Sequence, residues 1–309
     1  MAILAPSSKD GFPIKQTLVN EISSPNLVGK TYKGTITAWP NNMTAPEVID
    51  FWMMKAAENP KDVSVGLNYQ QLLSKFIMGA VFYSQAVDNY LDEKMGPDSK
   101  PNDKPYKDGA CYTGKEHSWD EAFGYFGARR DFLTPGDVGS CIDLTSEHNF
   151  GWASYATKRD NDTENIAYRN GVMFKADIFN AFVAGRTIIH NEGTIDDLAP
   201  HMATIRTRFE QLCAANVVHY VHSVLNAMGD LTDTSGAMSS ESENYNKYWS
   251  EMRGFIISLQ YNVGEVSGGL TSTQLDQIVA AVGTAPKYPS HDGYSYYADD
   301  LQRVKTILS

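Results

Sequence analysis

Asn68–Leu91 reads NYQQLLSKFIMGAVFYSQAVDNYL, with apolar residues at Leu72, Leu73, Phe76, Ile77, Ala80, Val81, Ala86 and Val87. Steps of three and four put these side chains on one face of a helix, whereas a half-buried strand would need alternation. Asn68, just ahead of the run, is a good N-cap because its side-chain oxygen can accept an otherwise orphaned amide of the first turn. The segment predicts a helix from Asn68 to about Leu91.

The pattern recurs on both sides. Upstream, Thr44 followed by Pro46 and Glu47 predicts a capped start, and 47–58 reads as helical until Asn59-Pro60. Downstream, Ser118 and Glu121 fit a capping box for a helix running to about Phe132. Further helices are expected at about 147–159, 172–190, 198–229, 241–262, 272–282 and 297–308, with Thr271 and Ser272 capping the fifth of these. The polar, Pro- and Gly-rich stretch 92–116 reads as a loop, long enough to be functional or loosely held. Residues 1–43 read as an irregular arm with one short strand signal in Thr31 to Trp39. Strand signals are few, so the fold class is all-α: an arm over 1–43 and a helical domain over 44–309.

An internal echo is visible. Tyr83-x-x-Ala86-Val87-x-Asn89-x-Leu91 is matched by Tyr220-x-x-Ser223-Val224-x-Asn226-x-Met228. Trp119-x-Glu121-x-x-Gly124-Tyr125 is matched more loosely by Trp249-x-Glu251-x-x-Gly254-Phe255, in the same order. Two readings stand: chance similarity of amphipathic helices, or pseudo-repeats over 44–135 and 198–265.

The 309 residues are 42% hydrophobic and 20% charged, enough apolar material for one large domain or two packed halves. The formal net charge of −11 argues against nucleic acid as a partner, since phosphate binding concentrates Lys and Arg, and the longest basic cluster is Arg129-Arg130. No apolar run reaches the ~18–20 residues that would span a bilayer. Met1 to Pro13 lacks a basic region followed by an apolar core, so no signal peptide is expected in this sequence; a cytosolic protein and a mature exported form both fit. Cys213 falls in an apolar helical run and is expected to be a buried thiol. Cys111 and Cys141 flank one helix in loop-like sequence, and a bridge between them is one option in an oxidising compartment.

The block with the most chemistry is Thr113-Gly-Lys-Glu-His117-Ser-Trp119-Asp120-Glu121-Ala-Phe123-Gly124-Tyr125-Phe126-Gly127. It is followed by Asn149-Phe150, Lys158-Arg159-Asp160, Ala181-Phe182-x-x-Gly185-Arg186 with Ile188-Ile189, then His219-Tyr220 and Ser250-Glu251. This succession, over roughly 44–282, resembles a family of exported bacterial domains of unknown function similar to the imelysin-like proteins. The resemblance implies a double helical bundle with long loops in the periplasm or at the cell surface. It also implies an association with iron-regulated outer-membrane uptake components. Imelysin-like proteins carry a Gly-x-His-x-x-Glu motif; here Gly114-Lys-Glu-His117-Ser-Trp-Asp120 has an extra residue before His, and Asp where Glu would stand.

The residues allow more than one chemistry. If 118–132 is helical, His117 and Glu121 are four apart on one face with Asp120 nearby, a donor set that suits Zn, Fe or Mn once further ligands arrive. Glu147, His148, His222 and Glu251 are candidates for completing it, and His219 and His222 are a spaced pair on a long helix. The competing reading is structural: Glu121 as a cap, Asp120 at the helix dipole, His117 in a hydrogen-bonded network. Trp119, Phe123, Tyr125 and Phe126 read chiefly as core aromatics, with Trp119 also a candidate ligand contact. Gly124 and Gly127 suggest close helix approach. Arg186 in an apolar helix needs a partner, with Asp120, Glu121 and Glu251 as candidates, or else holds a ligand's carboxylate. His117 and Glu121 are expected to face the interior, with Arg186 or Glu251 in bonding reach.

No His-Glu-x-x-His, Gly-x-Ser-x-Gly, Walker or Rossmann pattern and no Cys-x-x-Cys occurs. Haem held without covalent attachment stays open, since one His or Tyr can ligate it. The leading expectation is a non-catalytic envelope binding protein for iron, another divalent metal or a metal-bearing ligand. The metal ligands are expected to be His117, Asp120 and Glu121, with Arg186, Glu251 and Trp119 contacting the ligand. The alternatives are a hydrolase pairing Asp120 or Glu121 with Glu251, and a structural or adhesive surface protein.

Overall fold

The computed structural model describes residues 8–9, 12–13, 27–37, 39–40, 42–96, 99–129, 132–133, 149–161 and 171–309. Arg130, Cys141, Glu147 and His148 lie outside these residues, and so do the expectations placed on them. The fold is an all-α bundle, 64% helical. Among the described residues, strands occur only as three two-residue antiparallel pairs. One of these, Thr35–Ile36 with Met43–Thr44, falls on the short strand signal of the arm.

Local chemistry starts most of the helices. Helix α1 (Ala45–Glu58) opens where the Thr44 amide donates to Glu47 Oε2 at 2.8 Å, and it buries Val48, Ile49 and Trp52. Helix α2 (Tyr69–Ile77) opens where Asn68 Oδ1 accepts from the Gln71 amide at 3.1 Å. The rod then continues to Glu93, but as a π-helix from Met78 rather than as a uniform α-helix. At that junction Trp152 Nε1 donates to the Met78 carbonyl at 2.9 Å. A side-chain donor inserted there competes with the i→i−4 ladder and favours a wider turn.

Helix α3 (Gly114–Phe126) departs from the expected bounds at both ends. Thr113-x-x-Glu116 and Ser118-x-x-Glu121 both fit a capping box, and the chain uses the first. Thr113 Oγ1 accepts from the Glu116 amide at 3.1 Å, and Glu116 Oε2 accepts from the Thr113 amide at 2.8 Å. Thr113 is held extended by its bridge to Pro105 and by its hydroxyl donating to Asn102 Oδ1 at 2.6 Å. Ser118 is therefore inside the helix and buried. The far end comes at Gly127, left-handed with φ 85°, where a Cβ would lie 2.3 Å from the Phe150 carbonyl oxygen. The expected close helix approach at Gly124 is not found: it is exposed, with open space where a Cβ would go.

Among the described residues the remaining helices are α4 (Gly151–Asp160), α5 (Phe174–His190), α6 (Ile195–Met228), α7 (Ser242–Ser258), α8 (Ser272–Val282) and α9 (Tyr294–Leu308). A 3₁₀ turn, Leu259–Asn262, follows α7 within the expected 241–262 segment. At 34 residues, α6 is the spine, about 50 Å long by helical rise. Helices α5, α7 and α9 pack along it, α2 lies on α7, and the π-helical stretch lies on α3. No helix among the described residues is long and apolar enough to cross a membrane.

Aromatic rings fill the centre. Tyr83 stacks on Phe209 at 5.6 Å, and Trp152 meets Phe209 and Phe255 at 6.0 and 5.9 Å. Cys213 is buried, its thiol donating to the Phe255 carbonyl at 3.4 Å. Where α3 meets α5, Gly185 leaves room for the Trp119 indole; a Cβ there would fall 2.0 Å from Trp119 Cζ2. Gly185→Ala should overpack this contact and lower stability by about 1–3 kcal/mol in urea denaturation, while Gly124→Ala should leave it level or higher.

Candidate functional site

Steps of four along α3 sort its polar residues into two sets, Glu116 with Asp120 and His117 with Glu121. One set faces α5. Glu116, with its side chain 6% exposed, lies 2.6 Å from Arg186 Nη1 through Oε1, and Asp120 Oδ1 lies 3.0 Å from Arg186 Nε. His190 Nδ1, one turn further along α5, is 3.2 Å from the same Glu116 oxygen. Burial would raise the Glu116 carboxyl. The Thr113 amide, His190 and Arg186 outweigh it and hold the group below its usual value. Arg186 thus takes Asp120 from its expected partners, together with Glu116, which sequence reasoning missed.

The other set faces the π-helical stretch and the loop before α3. His117 Nε2 is 3.0 Å from Glu121 Oε1, with side chains 29% and 35% exposed. Tyr90, on the π-helical stretch, has its phenol pushed well up, first by burial and then by a hydrogen bond to the Glu121 carboxylate. Its oxygen also accepts from Lys30 Nζ at 3.1 Å. Tyr106 and Tyr112 of the loop stack near His117, with ring centroids 4.2 and 5.6 Å away. The loop holds this shape through Tyr106 N donating to the Tyr112 carbonyl at 2.8 Å. His117 and Glu121 therefore sit at a partly open edge rather than in the interior between bundle halves, because Trp119, Ala122 and Phe126, three and four residues apart, take the buried face of the helix.

Three expected site residues stand elsewhere. Asp120 is turned to Arg186, so His117, Asp120 and Glu121 do not converge; no group of three His, Cys, Asp or Glu among the described residues could hold a metal ion. Trp119 is a core residue, its Nε1 donating to the Phe182 carbonyl at 2.8 Å. Glu251 belongs to a separate buried cluster, 3.4 Å from Lys75 Nζ and accepting from Tyr220 OH at 3.2 Å. The carboxylate pairing of Asp120 or Glu121 with Glu251 is accordingly not built, since each acid has partners of its own. His219 packs edge-on against Tyr220 at 5.1 Å.

A cleft of about 400 Å³ opens beside the first set, between the loop and the end of α5, lined by Asn102, Lys104, Cys111, Tyr112, Glu116 and His190. Cys111 is free and exposed there, while Cys141 lies outside the described residues. The sequence did carry a signal for Glu116, the competing capping box at Thr113. Nothing local pointed to Tyr90, Tyr106 or Tyr112, which reach His117 and Glu121 only through the fold.

Comparison with protein families finds one model, described as a domain of unknown function (DUF4856), that matches residues 58–284. No curated protein and no solved structure matches the chain.

Proposed function

The chain belongs to this family, the domain of unknown function DUF4856, and we propose that it is a non-catalytic binding protein of the cell envelope. Its cargo is iron, another divalent metal or a metal-bearing ligand, bound at His117 and Glu121. The observation that carries the reading is an imidazole and a carboxylate side by side, His117 Nε2 and Glu121 Oε1 at 3.0 Å, with the Tyr90 phenol near enough to that carboxylate to be pushed up by it. Nitrogen and hard oxygen donors of this kind suit iron, manganese or zinc. In this reading Tyr90 serves as the third donor in place of Asp120, which is taken up by Arg186. A bound cation would also offset the burial that holds the Tyr90 proton on, so uptake should release protons. The envelope location and any outer-membrane partner rest on the resemblance to imelysin-like proteins.

Metal analysis of protein purified without chelator, with calorimetry using iron, manganese and zinc salts, tests the reading. Binding in the micromolar range is expected for wild type and should be lost in His117→Ala and Glu121→Gln. Because both side chains are about a third exposed, the variants should melt within about 1 kcal/mol of wild type. Wild type that takes up none of these ions, free or in complex, would end the proposal.

A further inference from the structure

Val263-Gly-Glu-Val-Ser-Gly-Gly-Leu270, between the 3₁₀ turn and α8, folds back on itself. Gly264 and Gly268 are left-handed, with φ of 81° and 73°, and the Gly264 amide donates to the Leu270 carbonyl at 3.2 Å. The turn aims the Leu270 amide at Glu210 Oε1, 2.8 Å away, while Asn262 Nδ2 donates to Glu210 Oε2 at 3.2 Å. Gly269 passes so near that a Cβ there would collide with Glu210 Oε1.

Three carboxylates are buried among the described residues. Glu116 faces Arg186 and Glu251 faces Lys75. Glu210, 7% exposed, forms no ion pair among the described residues. The cations on α6 and α9 nearest to it in sequence go elsewhere: Arg206 is 3.2 Å from Asp92, Arg208 is 2.6 Å from Asp177, and Arg303 is 3.3 Å from Asp300. Lys305 forms no ion pair with it either. Glu265, exposed on the loop, adds charge of the same sign. A carboxylate out of water without a cation is costly. Burial accordingly raises the Glu210 carboxyl, against the lowering by the Leu270 amide and Asn262.

In place of a cation, Glu210 has a cavity of about 370 Å³ beside it. Thr207, Glu210 and Ala214 line it from one face of α6, at steps of three and four, and Leu259, Leu270 and Ile307 add apolar wall. The lining narrows the occupant. No group of three His, Cys, Asp or Glu among the described residues could hold a metal ion. No aromatic side chain lines the cavity, and quaternary ammonium groups are held chiefly by aromatic rings. A primary ammonium donates hydrogen bonds to a carboxylate, and each Glu210 oxygen keeps acceptor capacity beyond its one N–H partner.

We propose that this cavity binds a small aliphatic primary amine, its ammonium paired with Glu210 and its carbon chain against Leu259, Leu270 and Ile307. The site is separate from His117 and Glu121 and does not depend on what binds there.

The probe is n-butylammonium chloride, titrated by calorimetry into the full chain at constant ionic strength. Its controls are 1-butanol, a neutral molecule of similar shape, and tetramethylammonium, a cation without N–H donors. Wild type should bind butylammonium with the roughly millimolar affinity within reach of so small a ligand, and roughly tenfold more tightly than either control. Glu210→Gln keeps the shape and an acceptor for the Leu270 amide, and should weaken the amine roughly tenfold or more. Ala214→Leu, at a part-exposed position of the lining, should block the cavity with the carboxylate intact, and decides the matter if the glutamine variant does not fold. Butanol bound as tightly as the amine would make the cavity merely apolar, and tetramethylammonium bound as tightly would reduce the effect to the net charge of −11. Either result overturns the inference. So does amine binding that survives Glu210→Gln or Ala214→Leu, or wild type that takes up no butylammonium at about ten times the expected dissociation constant.

Discussion

Arg186→Ala should destabilise the protein by about 3 kcal/mol at neutral pH, the largest effect expected from any single change on α3 or α5 outside the aromatic core. The asymmetry of the pair is the reason. Arg186 is 31% exposed and can find water, whereas the Glu116 side chain is 6% exposed and cannot. Removing the arginine strands a buried carboxylate with only the Thr113 amide and His190 beside it. Asp120, 55% exposed, should lose little. The sign with pH follows from Glu116. Its folded value lies below the ordinary 4.5, so its contribution is fully present above that range and is lost as pH falls through the depressed value. In the variant the stranded carboxyl should titrate higher, and protonation relieves the penalty. Denaturation midpoints for wild type and variant should therefore converge as the pH is lowered below about 4.5. A gap that stays constant through acid would mean that the lost stability is packing rather than charge.

The second large effect is expected at Lys75 and Glu251. Their side chains are 9% and 8% exposed, with a 3.4 Å separation, so the charges are out of water on both sides. The lysine stem lies so close to α7 that a Cβ on Gly254 would fall 2.6 Å from Lys75 Cβ. Lys75→Ala should cost about 3–5 kcal/mol, because it leaves Glu251 buried with only Tyr220 as a bonded partner. Lys75→Met combined with Glu251→Leu should recover most of that loss, since a buried ion pair contributes little beyond an apolar pair of similar volume. Urea denaturation of Lys75→Met, Glu251→Leu and the double variant closes a double-mutant cycle and provides the test. If both single changes are mild, the cluster is better solvated than its burial indicates.

The two clusters also show which parts of the molecule were readable in advance. Periodicity at Leu72, Phe76 and Ala80 and the caps at Thr44, Asn68 and Thr271 gave helices close to those found, because an N-cap and a buried stripe are decided within a few residues. Arg186 could be said to need a carboxylate for the same kind of reason: a guanidinium in an apolar helix is costly alone. Which carboxylate it found was not local. It depended on whether α3 began at Thr113 or at Ser118, two starts that match the same rule. The choice was made by Asn102 and Pro105, which fix Thr113 from outside the helix.

The sequence by itself determined an all-α chain, the positions of most helices and the chemical character of the Thr113–Gly127 block. Tertiary structure alone decided that Glu116 rather than Glu121 is the buried acid and that Glu251 answers Lys75. It also decided that His117 and Glu121 stand at an open edge among tyrosines and lysines. The physical reason is range. Helix formation and capping act over three or four neighbours along the chain, whereas the partner of a charged group is set by where whole helices pack.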